Sequence, residues 1–183
     1  MSFIFKATEI PDVMICKPKI FEDGRGYFFE SWNQRDFSKA GIHTTFVQDN
    51  QSFSVKNTLR GLHYQAKPYE QAKLVRVLSG SILDCVVDLR SASATFKKGI
   101  LFELTAERGE SLYIPEGFAH GFLVLSENAM VLYKASSYYA PQYERGIYWN
   151  DPDLAIDWGI CNPILSEKDK QLPRLREIHY DEI

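Results

Sequence analysis

From Lys73 to Arg90 the chain alternates with a period of two, broken once by the pair Ser79-Gly80. Lys73-Leu74-Val75-Arg76-Val77-Leu78 precedes the break. After it, Ile82, Asp84, Val86 and Asp88 fall on one face, and Leu83, Cys85, Val87 and Leu89 on the other. Successive side chains of a strand point to opposite faces, so this spacing is that of β-structure. The Ser-Gly pair between two such runs reads as a turn, and the unit as a hairpin. Strand-like runs recur at 12–21, where Pro18 limits pairing, and at 26–32, 44–53, 58–65, 99–105, 111–114, 121–125 and 130–136. Helical character is confined to 33–40, stopped by Gly41, and to a start at Ser166. There Asp169 stands three residues after a capping serine, as in a capping box, and Pro173 ends the helix. The pattern predicts an all-β antiparallel sandwich or barrel.

Composition fits one packed domain over 1–183, with a C-terminal helical extension over 165–183: 45% of the 183 residues are hydrophobic and 25% charged. The net charge of -3 offers no basic field for nucleic acid. No apolar run approaches the ~20 residues of a membrane span, and the first residues lack the apolar stretch of a signal peptide. Cys16, Cys85 and Cys161 form no CxxC pair, which speaks against a thiolate zinc site and a disulfide framework. These features predict a cytoplasmic protein.

Gly109-x5-Pro115-x-Gly117-x2-His120 resembles the second motif of the cupin superfamily up to its histidine. In metal-binding members the first motif supplies two histidines as HxH. Here Gln65 stands where the second would follow His63, and Val124 replaces an expected Asn. A zinc or iron site wants three or four protein ligands, so no metal is expected. His63 is accompanied by Arg60, Lys73 and Tyr133: a titratable base, two cations and a phenol. That set suits proton abstraction beside a carbonyl, with a cation holding the enolate oxygen and the phenol returning a proton from the opposite face.

Ordered blocks carry a more specific resemblance. They include Asp23-Gly24-Arg25-Gly26, Phe46-Val47-Gln48-Asp49-Asn50, Arg60-Gly61-Leu62-His63-Tyr64-Gln65 and Lys73-Leu74-Val75-Arg76-Val77. Further along stand Ile114-Pro115-Glu116-Gly117-Phe118-Ala119-His120, Leu132-Tyr133-Lys134, Tyr138-Tyr139-Ala140-Pro141 and Leu165-Ser166-Glu167-Lys168-Asp169. Over nearly its whole length the chain resembles the dTDP-4-dehydrorhamnose 3,5-epimerase family. The resemblance implies a cupin-type jelly-roll barrel, a homodimer, no metal or organic cofactor, and a dTDP-4-keto-6-deoxyhexose substrate epimerised at C3 and C5. It implies His63 as base, Asp169 as the carboxylate orienting it, Lys73 beside the C4 carbonyl and Tyr133 as phenolic acid. Arg60 matches a pyrophosphate contact, and Gln48, Asn50 and Tyr138 match nucleotide contacts. Arg25 and Glu30 match positions reaching the partner's site, and His120 and Asp84 match a pocket-lining pair. Gly24 stands where an acid is common before Arg25, and Tyr64 where Phe is frequent.

Taken singly, these residues have ordinary roles. A lone His or Tyr on a strand is most often a satisfied polar group, Lys73 and Arg60 would be solvated charges, and Asp169 a helix N-terminal acid. Other functions weighed on the sequence are a single-centre epimerase, a cupin module that only binds a nucleotide-sugar, and a metal-dependent dioxygenase, against which Gln65 speaks.

Overall fold

The computed structural model describes residues 2–183, without the side chain of Glu182. Its strands are β1 (Phe3–Ala7), β2 (Met14–Pro18), β3 (Phe21–Asp23), β4 (Gly26–Phe28), β5 (Gln48–Val55), β6 (Leu59–Gln65) and β7 (Lys73–Ser79). They continue as β8 (Ser81–Asp88), β9 (Gly99–Thr105), β10 (Ser111–Ile114), β11 (Phe118–Val124), β12 (Asn128–Ala135) and β13 (Glu144–Gly146). The α-helices are short: α1 (Gln34–Lys39), capped by the Asn33 side chain, and α2 (Glu167–Lys170), capped by Ser166. One sheet has six strands in the order β1-β2-β10-β7-β12-β5, and the other five in the order β13-β6-β11-β8-β9; β3 and β4 form a separate hairpin. All named pairings are antiparallel. The all-β expectation and its cupin-like form are therefore met.

The unit from Lys73 to Arg90 is not a hairpin. β7 belongs to the six-stranded sheet and β8 to the five-stranded one, so Gly80 carries the chain around a corner between layers. Gly80 has φ +78, and a Cβ there would lie 2.1 Å from the Asn128 carbonyl oxygen. Alternation reports which side of a strand is apolar, but it carries no information about which strand lies alongside. The same alternation does predict the layers. Ile82 and Val86 join Val75, Val77, Leu112 and Val131 in the core between the sheets. Cys85, Val87 and Leu89 face outward, where Trp149, Trp158 and Leu175 cover them. A strand buried on both faces fits the near-continuous apolar composition of β8.

Leu175, Ile178, Tyr180 and Ile183 therefore belong to a second core on the outer face of the five-stranded sheet. Asp151 fixes this tail by accepting the Leu175 N–H at 2.8 Å. The predicted C-terminal helical extension is reduced to the single turn of α2 and two 3-10 turns at Leu175–Glu177 and Tyr180–Glu182, because Pro173 prevents continuation.

Candidate active site

The core does not fill the whole sandwich. On β5 the positions that face the interior are Gln48, Asn50, Ser52 and Ser54, all polar, and the sheets stay open beside them. The opening is a cavity of about 320 Å³ lined in part by Arg60, His63, Lys73, His120, Tyr133 and Asp169. A smaller recess of about 110 Å³ shares His63, Lys73 and Tyr133 and adds Gln48, Asn50, Tyr139 and Glu144.

The strand registers explain why these side chains converge. Lys73 lies on the same face of β7 as the core residues Val75 and Val77. Tyr133 on β12 sits opposite Asn50 on one side and Val75 on the other. Arg60 and His63 are three apart and would face opposite ways on a regular strand. Between β6 and β11, however, His120 pairs with His63 and Phe122 with Arg60, so two residues of β6 oppose one of β11. This bulge resets the alternation and turns both Arg60 and His63 inward. Gly61 occupies it with φ +117, and a Cβ there would lie 2.6 Å from the Gly121 Cα. Only glycine meets both demands, which is the physical content of Arg-Gly-Leu-His in the sequence.

His63 Nε2–H donates to Asp169 Oδ1 at 2.5 Å. Burial works to raise the Asp169 carboxyl, but the hydrogen bonds from His63 and Ser166 and the nearby Lys168 charge hold it below the ordinary carboxylate range. An ionised carboxylate only accepts, so Nε2 carries a proton towards Asp169, and in the neutral ring the lone pair is on Nδ1. Ser166 caps α2 as predicted, accepting the Asp169 N–H at 3.0 Å. The Asp169 side chain, however, turns to His63 and does not close a capping box.

Lys73 is buried, and its amine has no hydrogen-bond partner among the described residues. Burial lowers it to about 8, with Asp84 and Glu144 pulling the other way. Tyr133 is raised, chiefly by burial and partly by Glu144, against the opposing pull of Arg60. Its phenol therefore keeps its proton at neutral pH. His120 Nε2 pairs with Asp84 Oδ2 at 2.9 Å, and Asp84 Oδ1 has no partner among the described residues. His63, Asp169, Lys73 and Tyr133 thus share one cavity.

Other predicted residues stand apart. Tyr138 is exposed and lines neither opening, whereas its neighbour Tyr139 does. Arg25 lies on the exposed β3–β4 hairpin paired with Asp23, and Glu30 accepts from Asn33, both away from this cavity. Gln65 spends its amide on the carbonyls of Tyr69 and Tyr138 and on the Ala140 N–H. Sequence reasoning missed Ser52, Phe122, Tyr139, Glu144, Ser166 and Lys168 as lining residues. Lys168 adjoined a singled-out residue, and Ser52 followed two singled-out β5 positions at the strand's period. Glu144 carried no local signal.

A family model described as dTDP-4-dehydrorhamnose 3,5-epimerase matches residues 7–177. The chain belongs to the dTDP-4-dehydrorhamnose 3,5-epimerase family. It is accordingly an isomerase of the carbohydrate-epimerase kind. A family member from Shigella flexneri is 53% identical over 163 residues, covering 88% of this chain and 90% of that one. The solved 3,5-epimerase from Legionella pneumophila, in complex with dTDP-4-keto-L-rhamnose, is 42% identical and superposes with a TM-score of 0.94 over 99% of this chain and 97% of that chain. A 3'-monoepimerase from Streptomyces bikiniensis, bound to dTDP-quinovose, is 34% identical with a TM-score of 0.87 over 93% and 87% of the two chains. Among the described residues no helix is long and apolar enough to cross a membrane.

Proposed function

We propose that this epimerase inverts C3 and C5 of dTDP-4-dehydro-6-deoxy-D-glucose, with His63 as the base for both carbons. The observation that carries the reading is the His63–Asp169 pair facing the same cavity as Lys73 and Tyr133. The C4 ketone acidifies the hydrogens on both neighbouring carbons. His63 Nδ1 takes the proton, the C–H electron pair becomes the double bond to C4, and the ketone oxygen becomes an enolate. The Lys73 ammonium stabilises that oxygen, and the burial of Lys73 makes its charge worth more than in bulk water. Tyr133 then returns a proton to carbon from the opposite face, and solvent resets both groups. Arg60, whose Nε–H donates to Ser54 Oγ at 2.9 Å, keeps its other donors for a phosphate oxygen, and Gln48 and Asn50 offer amides to the nucleotide.

In heavy water the ketosugar should gain deuterium at both C3 and C5. Label at one carbon only would identify a single-centre epimerase and sink the double reaction. Exchange should survive a strong chelator, because Gln65 is spent on the loop and His63 and His120 are each tied to a carboxylate. Loss of exchange in chelator, restored by metal, would overturn the cofactor-free reading.

The β3–β4 hairpin exposes Phe21, Tyr27 and Phe28, at 52%, 69% and 69%. Such a protruding apolar arm supports a homodimer in which Arg25 and Glu30 serve the neighbouring subunit's cavity. Sedimentation at working concentration should give twice the chain mass; a monomer would remove this role. The free thiols of Cys16, Cys85 and Cys161 suit a reducing compartment and support a cytoplasmic location, which cell fractionation tests.

A further inference from the structure

We infer that Gln65 is a positioning residue: through the backbone on both sides of Tyr139 it fixes the amides of Gln48 and Asn50 as hydrogen-bond donors in the smaller recess. The inference rests on Gln48 and Asn50 contacting the nucleotide. Residues 138–140 follow β12 in no regular element, and Tyr138 and Tyr139 are exposed. Such a segment needs outside partners to keep one conformation. Gln65, buried at the end of β6, supplies them. Its Nε2–H groups donate to the Tyr69 carbonyl at 2.6 Å and the Tyr138 carbonyl at 3.2 Å, and its Oε1 accepts the Ala140 N–H at 2.7 Å. Both of its N–H donors are thus used within the protein. The connection between β6 and β7 is tied to the same segment a second time, where Gln71 Nε2–H donates to the Ser137 carbonyl at 2.7 Å.

Held on both sides, Tyr139 donates its N–H to Gln48 Oε1 at 3.0 Å. A backbone N–H only donates, so this bond decides which end of the Gln48 amide is oxygen. Gln48 Nε2–H then donates to Asn50 Oδ1 at 3.0 Å, which fixes the second amide in turn. What remains for a ligand is the second Gln48 N–H and the Asn50 amino group. The recess these residues line therefore presents donors, and suits the carbonyl or phosphate oxygens of a nucleotide. Without Gln65 the Tyr139 N–H is released and both amides are free to turn. Ordering them again on binding costs affinity.

The test uses Gln65→Met, which keeps the length without the amide, and Gln65→Ala, which leaves room for water to satisfy the freed backbone groups. Each is measured alone and in a Gln48→Ala background, by dTDP titration, steady-state kinetics and melting. Alone, each should raise the dTDP dissociation constant and KM about tenfold, with kcat within about twofold of the parent. In the Gln48→Ala background neither should weaken dTDP further, because the contact they act through is gone. A fall in kcat at constant KM would make Gln65 a support for His63 on the same strand and overturn the inference. Losses that add to that of Gln48→Ala, or that track melting, would overturn it too. If Gln48→Ala weakens dTDP while both Gln65 variants bind it like the parent, the inference alone fails. If Gln48→Ala itself binds dTDP like the parent, the nucleotide assignment fails and the inference with it.

Discussion

Replacing His63 with alanine should lower deuterium exchange at both carbons by about a thousandfold, while dTDP affinity stays within about threefold. The two effects separate because the groups assigned to the nucleotide, Arg60, Gln48 and Asn50, do not depend on the imidazole. The rate depends on it directly: a general base within reach contributes about 10²–10⁴-fold. Asp169→Asn gives the sharper mechanistic contrast. The His63 Nε2–Asp169 Oδ1 contact of 2.5 Å survives sterically in the amide. An amide nitrogen facing Nε2 would donate to it and move the ring proton to Nδ1, the atom that has to accept from carbon. The expected loss is about a hundredfold at unchanged stability. Equal exchange in His63→Ala and the parent would remove His63 from the mechanism. Loss at one carbon only would show that a second group serves the other, with His120, held by Asp84, the first to substitute.

How far the sequence foretold this site depended on whether a signal was local. The bounds of β9 and β10 were legible to the residue. The Gly41 stop of α1 was legible because it acts within one turn. Pairing was not legible. The run from Lys73 to Arg90 reads as a hairpin, yet its halves lie in different sheets, since long-range contacts choose strand neighbours. The tail after Pro173 gave no periodic signal, because Leu175, Ile178 and Tyr180 pack from irregular turns onto the back of β8. In the site, single-residue plausibility was low for Lys73 and Asp169. Their roles came from matching ordered motifs, and the geometry now supplies a physical reason for each to be in the cavity. Glu144 lacked even that, for it sits in a three-residue strand with no pattern of its own.

Lys73→Met should inactivate the enzyme and make it more stable, and the two effects have one cause. In the folded chain Lys73 is a buried residue whose amine faces the cavity without a hydrogen bond to any described residue, and burial brings it to about 8 from 10.5. Below pH 8 both the folded and the unfolded chain carry the proton, and the fold bears the full cost of a buried cation. Between about 8 and 10.5 the unfolded chain holds more protons than the folded one, so stability rises with pH and the cost is relieved. The shift corresponds to an upper bound of about 3 kcal/mol. Methionine keeps the length and apolar stem without the charge, so the variant should be more stable than the parent by about 1–3 kcal/mol at pH 7, with the difference shrinking by pH 10. The same cation is what the enolate oxygen needs, and its removal should lower kcat by about 10²–10³-fold. In the parent, kcat should decline on the alkaline side as pH passes about 8, where the amine of Lys73 loses its proton. Melting curves at the two pH values and a pH–rate profile test all of this together. A Lys73→Met enzyme that is less stable at pH 7, or one that retains parental kcat, would show that the lysine is seated for packing and not for the charge it brings to the cavity.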